Sequence, residues 1–114
     1  MDKTTYLVII RFGDAGVITA RVRESAPLIK KTIEKLSDGE CQLAFTSRDG
    51  SAFAYLMKTT APLPVVRAEL FGTSQNARGA SPLLDGDSYL AIEVGAGFDG
   101  VGLSRAWTWL QHHN

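Results

Sequence analysis

Three carboxylates, one glycine-rich string and a pair of aromatic residues are the groups in this chain whose type and spacing match known chemistry. Asp14 lies in Gly13-Asp14-Ala15-Gly16, and Asp85 and Asp87 flank Gly86. Brought together, three such carboxylates hold Mg²⁺ and assist phosphodiester cleavage by orienting water and neutralising charge on the phosphate. Asp is equally at home in turns, where its side chain caps nearby backbone N–H groups. The triad is therefore chemical only if the fold makes it converge. Gly95-Ala96-Gly97-Phe98-Asp99-Gly100 has the form G-x-G-x-x-G. In a dinucleotide site such glycines admit a pyrophosphate to a helix N-terminus, and an acid about 20 residues on holds the ribose. Only fourteen residues follow Gly100, too few for a second parallel strand and that acid, so the string reads as a strand-to-helix connection.

The stretch from Arg48 to Tyr55 partly resembles the third-strand motif of RNA-recognition domains, where a basic residue and a glycine precede alternating aromatics. The resemblance implies Phe53 as a stacking platform, Tyr6 on the first strand as a second, and Arg11, Arg48 and Lys58 as phosphate contacts. Ser51 stands where one aromatic belongs, and Asp49 displaces the basic residue. The competing expectation is that Phe53 and Tyr55 pack beneath helices. Twelve Lys and Arg balance twelve Asp and Glu, so no global field draws nucleic acid or an anionic membrane to the chain.

The remaining polar groups point to no reaction. Cys41, the only cysteine, has no histidine near it in sequence and reads as a small buried hydrophobe; it also excludes an internal disulfide. His112 and His113 are adjacent at the C-terminus; on a helix they point to different sides, on a frayed end they are solvated, and the pair alone makes no metal site. Lys30, Lys31 and Lys35 line a solvated helix face, with Lys30 and Glu34 at i, i+4 and Arg21 and Arg23 extending the basic patch. No catalytic residue, metal or cofactor is expected.

These groups must be positioned by elements that the apolar pattern outlines. Thr5 to Phe12 is a strand with apolar residues on both faces. Val17 to Val22 is ambiguous, with a short returning strand one option. Ser25 as N-cap and Pro27 in the first turn open a helix carrying Ile29, Ile33 and Leu36, which Gly39 stops. Cys41 to Thr46 and Ala52 to Lys58 form a hairpin. A two-residue loop would set Thr46 opposite Phe53. A three-residue loop with left-handed Gly50 sets Phe45 opposite Phe53, Leu43 opposite Tyr55 and Cys41 opposite Met57, and it gathers the bulk on one face. Thr60 to Phe71 predicts a second helix, 73–87 a long loop, Ser88 to Val94 the last strand, and Leu103 to Leu110 a short terminal helix.

Strand, helix, hairpin, helix, strand is the order of a ferredoxin-like α+β sandwich in one domain, here with an additional C-terminal helix. That order would also bring the end of the first strand, with Asp14, beside the start of the last, with Asp85 and Asp87. With Tyr6, Val8, Ile10, Phe45, Phe53, Tyr55 and Met57 under the helices, Leu7, Ile9, Ala44, Ala54 and Leu56 point the other way. That second face is also apolar and needs a cover. The candidates are the terminal helix, through Leu103, Trp107 and Leu110, or a second subunit. One of Trp107 and Trp109 would close the fold while the other anchors a partner. The interaction surface expected from sequence is thus Leu7, Ile9, Ala54, Leu56, Trp107 and Trp109. The residues before Arg11 lack a signal-peptide pattern and no apolar run reaches a membrane-spanning length, so a cytoplasmic, non-catalytic, homodimeric binding or regulatory module is expected. A single-stranded nucleic-acid binder and a Mg²⁺-dependent nuclease are the alternatives.

Overall fold

The computed structural model describes residues 2–13, 18–72, 82–84, 86–95, 97 and 103–113. Its elements run β1 (Thr4–Arg11), α1 (Ile18–Ser37), β2 (Cys41–Thr46), β3 (Ala52–Thr59), α2 (Leu63–Phe71), β4 (Ser88–Glu93) and α3 (Ser104–His113). The four strands form one antiparallel sheet in the order β2-β3-β1-β4. This is the ferredoxin-like βαββαβ arrangement with a C-terminal helix added. No helix among the described residues is long and apolar enough to cross a membrane.

β1 is central because both of its faces are apolar, and it pairs with β3 and β4 along most of its length. Tyr6, Val8, Ile10 and Phe12 join Phe53 and Met57 in the main core, under Ile29 and Ile33 of α1 and Val66 and Leu70 of α2. Phe53 meets Phe12 and Tyr55 edge to face, with ring centroids 5.6 and 6.0 Å away.

α1 corrects the sequence reading. It begins at Ile18, so Val17 to Val22 contributes no returning strand among the described residues, Ser25 is not an N-cap, and Pro27 lies inside the helix. An internal proline forfeits the bond its N–H would give to Arg23 and ordinarily costs about 3 kcal/mol. The apolar stripe Ile18, Val22, Ala26, Ile29, Ile33 packs on the core along the whole length and offsets that cost. Ser25 instead accepts a hydrogen bond from Arg21 Nε at 3.2 Å. The helix ends where expected: Asp38 turns left-handed at φ 51°, and the Gly39 N–H donates to the Glu34 carbonyl at 2.9 Å.

The β2–β3 hairpin combines both registers weighed from sequence. Cys41 opposes Met57 and Leu43 opposes Tyr55, as the three-residue loop requires. A bulge at Ala44 then shifts the pairing, so Phe45 opposes Ala54 and Thr46 opposes Phe53. Phe45 therefore leaves the helix-covered face, contrary to expectation. The loop itself supplies the reason. Asp49 accepts hydrogen bonds from the Ser51 N–H and from the hydroxyls of Ser51 and Ser47, at 3.0, 2.7 and 2.9 Å, and Gly50 takes φ 78°. These bonds hold the Asp49 carboxyl at a pKa of about 2. A loop with so many internal bonds sets its own register, and the bulge reconciles it with the packing further along.

β1 and β4 meet closely at one end, where a Cβ on Gly13 would lie 2.5 Å from the Gly86 carbonyl oxygen. Backbone, unlike a flexible side chain, cannot swing aside. Gly13→Ala is expected to destabilise the fold by about 1–3 kcal/mol, measured as a lowered urea midpoint with an unchanged slope.

Candidate functional site

The second sheet face carries Leu7, Ile9, Ala54 and Leu56, which pair across β1 and β3 as Leu7–Leu56 and Ile9–Ala54. β4 adds Ile92 beside Leu7 and Leu90 beside Ile9, and the bulge adds Phe45 beside Ala54. The result is a continuous apolar plane. α3 lies across part of it: Ala106 and Trp109 pack on Leu56, with Leu7, Ala44, Val94 and Leu110 around them. Trp109, only 8% exposed, thus closes the fold internally. Leu103 points away and is 55% exposed, and the side chain of Trp107 lies outside the described structure. Leu56 and Ala54 are buried, and Leu7 and Ile9 are half-buried.

The end of the terminal helix is held by one contact from far along the chain and by others within its own last turn. Lys58 of β3 donates to the His113 carbonyl at 2.7 Å, placing a cation at the negative end of the helix. The His113 ring stacks on Trp109 with centroids 4.3 Å apart and planes 7° from parallel. Its Nδ1 lies 2.9 Å from the Trp109 carbonyl oxygen. His112 is exposed and His113 half-buried, as adjacent residues on a helix point to different sides; Trp109 lies one turn before His113, and only Lys58 reaches it from far along the chain.

What α3 leaves open is the β4 margin. Leu90 and Ile92 are 54% and 47% exposed there, and Phe45 is exposed at the opposite margin. On the other face of β4, a groove of about 810 Å³ runs between that strand and α2, lined by Leu63, Arg67, Phe71, Tyr89 and Ala91 among others. Phe71 and Tyr89 meet edge to face at 5.9 Å. Burial pushes the Tyr89 hydroxyl pKa up, partly opposed by the nearby Arg67 guanidinium. Arg67 and Glu93 are exposed, and neither has a hydrogen-bond or ion-pair partner among the described residues.

The acidic constellation resolves differently. Asp14 and Asp85 lie outside the described residues, and no group of three candidate metal ligands occurs among the described ones. The end of β1 does adjoin the start of β4, yet Asp87 is fully engaged. Its carboxylate accepts from the Gly13 and Leu84 N–H groups, both at 2.8 Å, and from both terminal nitrogens of Arg21, one at 3.1 Å. The guanidinium also lies over the Phe12 ring, 4.6 Å from its centroid. Burial alone would raise the Asp87 pKa, but the Arg21 contact and the two N–H donors outweigh it and hold the carboxyl below its ordinary value of 3.8. Asp87 is a clamp joining β1, α1 and the entry to β4.

The other candidates take structural places. Tyr6 and Phe53 are buried on the helix-covered face, so neither offers its ring to a base. β4 runs antiparallel to β1, so the glycine string cannot belong to a parallel βαβ unit; Ala96 and residues 98–100 within it are outside the described structure. Cys41 is half-buried, and burial pushes its thiol pKa up, away from thiolate chemistry. No family model, curated protein or solved structure matches the chain.

Two substitutions test these anchors. Asp87→Asn leaves Arg21 without its counter-ion where the two side chains are 1% and 12% exposed, and should cost about 3–5 kcal/mol. Because the folded-state pKa is lowered, the clamp's contribution is complete above about pH 4 and fades as pH falls through the folded-state value. Denaturation across pH 2–6 should show the variant lacking that part of the acid slope. Trp109→Ala should cost about 3 kcal/mol and increase binding of a hydrophobic dye as Leu56 is uncovered.

Proposed function

We propose that this chain is a small, non-catalytic binding or regulatory module of the cytoplasm that works as a homodimer. Its subunits meet at the part of the second sheet face that α3 does not cover. The observation that carries this reading is the exposure of Leu90 and Ile92 on an edge strand, next to half-buried Ile9. Exposed apolar residues on an unpaired edge favour association with another chain. A two-fold axis at that margin would bring two copies of each residue into one cluster.

Magnitudes narrow the geometry. Fully burying a Leu or Ile side chain contributes about 1.5–3 kcal/mol, so four side chains already half-buried add only on the order of 4 kcal/mol. Association costs at least about that much in lost translational and rotational freedom. The apolar cluster alone therefore gives weak pairing, and a lasting dimer draws on backbone or charged groups at the same margin.

Sedimentation over a wide concentration range tests the reading. The native chain should pass from monomer to dimer, and Ile92→Lys should raise the dissociation constant at least tenfold while leaving the circular dichroism spectrum unchanged. A native chain that stays monomeric at millimolar concentration overturns it.

A further inference from the structure

We propose that the two copies join β4 to β4, antiparallel about an axis through Ala91, and that the second copy's Glu93 enters the α2–β4 groove beside Arg67 and Tyr89. This rests on the self-association proposed above and specifies its geometry.

The hydrogen-bond pattern of β4 sets the register. The Val94 N–H donates to the Thr5 carbonyl at 2.8 Å, continuing the pairing in which Leu7 opposes Ile92 and Ile9 opposes Leu90. Backbone groups alternate sides along an antiparallel strand, so Ser88, Leu90 and Ile92 also face β1. Tyr89, Ala91 and Glu93 then present their N–H and C=O groups to the outer edge, where no strand follows in the sheet among the described residues. That edge has no proline or lysine within β4, and its pairing with β1 is free of bulges.

A two-fold axis perpendicular to the sheet keeps each side chain on its own face, which restricts the pairings. Centred on Ala91, it sets Ala91 against Ala91 and Tyr89 against Glu93 in both directions. All three outward residues find mates, giving about six backbone hydrogen bonds. Centring on Leu90 or Ile92 leaves one of the three without a mate in the strand. The Ala91 register also sets each exposed Leu90 opposite an exposed Ile92 on the second face.

Charge falls into place on the helix-covered face. Glu93 opposes Tyr6 of the core and so shares a face with Tyr89 and Ala91. In the paired sheet its carboxylate arrives opposite Tyr89, at the groove that Arg67 lines. Arg67 gains a counter-ion and the Tyr89 hydroxyl an acceptor, twice by symmetry. Each chain thus supplies the group that the other's groove lacks.

The test uses the full chain carrying Cys41→Ser. Facing residues in a hydrogen-bonded antiparallel pair have Cα atoms about 5.5 Å apart, within disulfide reach. Ala91→Cys should therefore oxidise to a covalent dimer, while Ser88→Cys should not. Without added cysteines, Arg67→Glu and Glu93→Arg should each weaken the dimer at least tenfold, and the double reversal should restore it to within about threefold, with circular dichroism confirming that every variant folds. A native chain that dimerises while Ala91→Cys fails to cross-link and the reversal fails to rescue overturns this register and leaves self-association standing. A native chain that stays monomeric overturns both, and the edge then belongs to a different partner.

Discussion

The inner strands of this sheet have no polar face. β1 and β3 carry large apolar side chains in both directions, so every other part of the chain is arranged around the need to keep water off two planes. α1 and α2 cover one plane with long apolar stripes. A ten-residue helix, packed on Leu56 through Ala106 and Trp109 and tied by Lys58, covers part of the other. The unequal division follows from length, since α3 is half as long as α1, and the uncovered remainder falls at the margins, on β4 and at Phe45 of β2.

β4 is positioned by the Asp87 clamp. A carboxylate removed from water is tolerated because four donors converge on it, and those donors come from three separate parts of the chain. The joint also explains Gly13, since the Gly86 backbone approaches it with no room for a side chain, while Gly86 takes a positive φ of 92°. Asp87 serves as the mechanical joint between the first strand and the last. The same joint holds the first turn of α1 against the sheet through Arg21.

The edge that this joint presents is where architecture and function meet. Backbone groups facing outward, exposed aliphatic side chains and two charges of opposite sign, neither paired among the described residues, lie within one short strand and its neighbouring helix. Each is weak as a source of association energy: the apolar cluster is small, and an exposed ion pair contributes little. In the proposed dimer their coincidence on a two-fold pattern would let them act together, with backbone pairing supplying the directionality that apolar contacts lack.

Much of this was legible in residue types. The element order, the helix stop at Gly39, the left-handed Gly50, the first core and the apolar second face follow from local periodicity and turn chemistry, which act over a few residues. The start of α1 was not legible, because a proline that locally argues for a helix start is overruled by a stripe visible only once the sheet is beneath it. The Ala44 bulge escaped because loop and packing asked for different registers, and only their joint geometry shows that both are met. The ion pair of Asp87 and the cap on the His113 carbonyl were not legible, since Arg21 and Lys58 lie 66 and 55 residues away. The sequence by itself determined which surfaces had to be dry, because hydrophobicity is carried by each residue alone. Tertiary structure decided which of them α3 would reach and which charges would stay unpaired among the described residues, because those outcomes depend on distances between residues far apart in the chain.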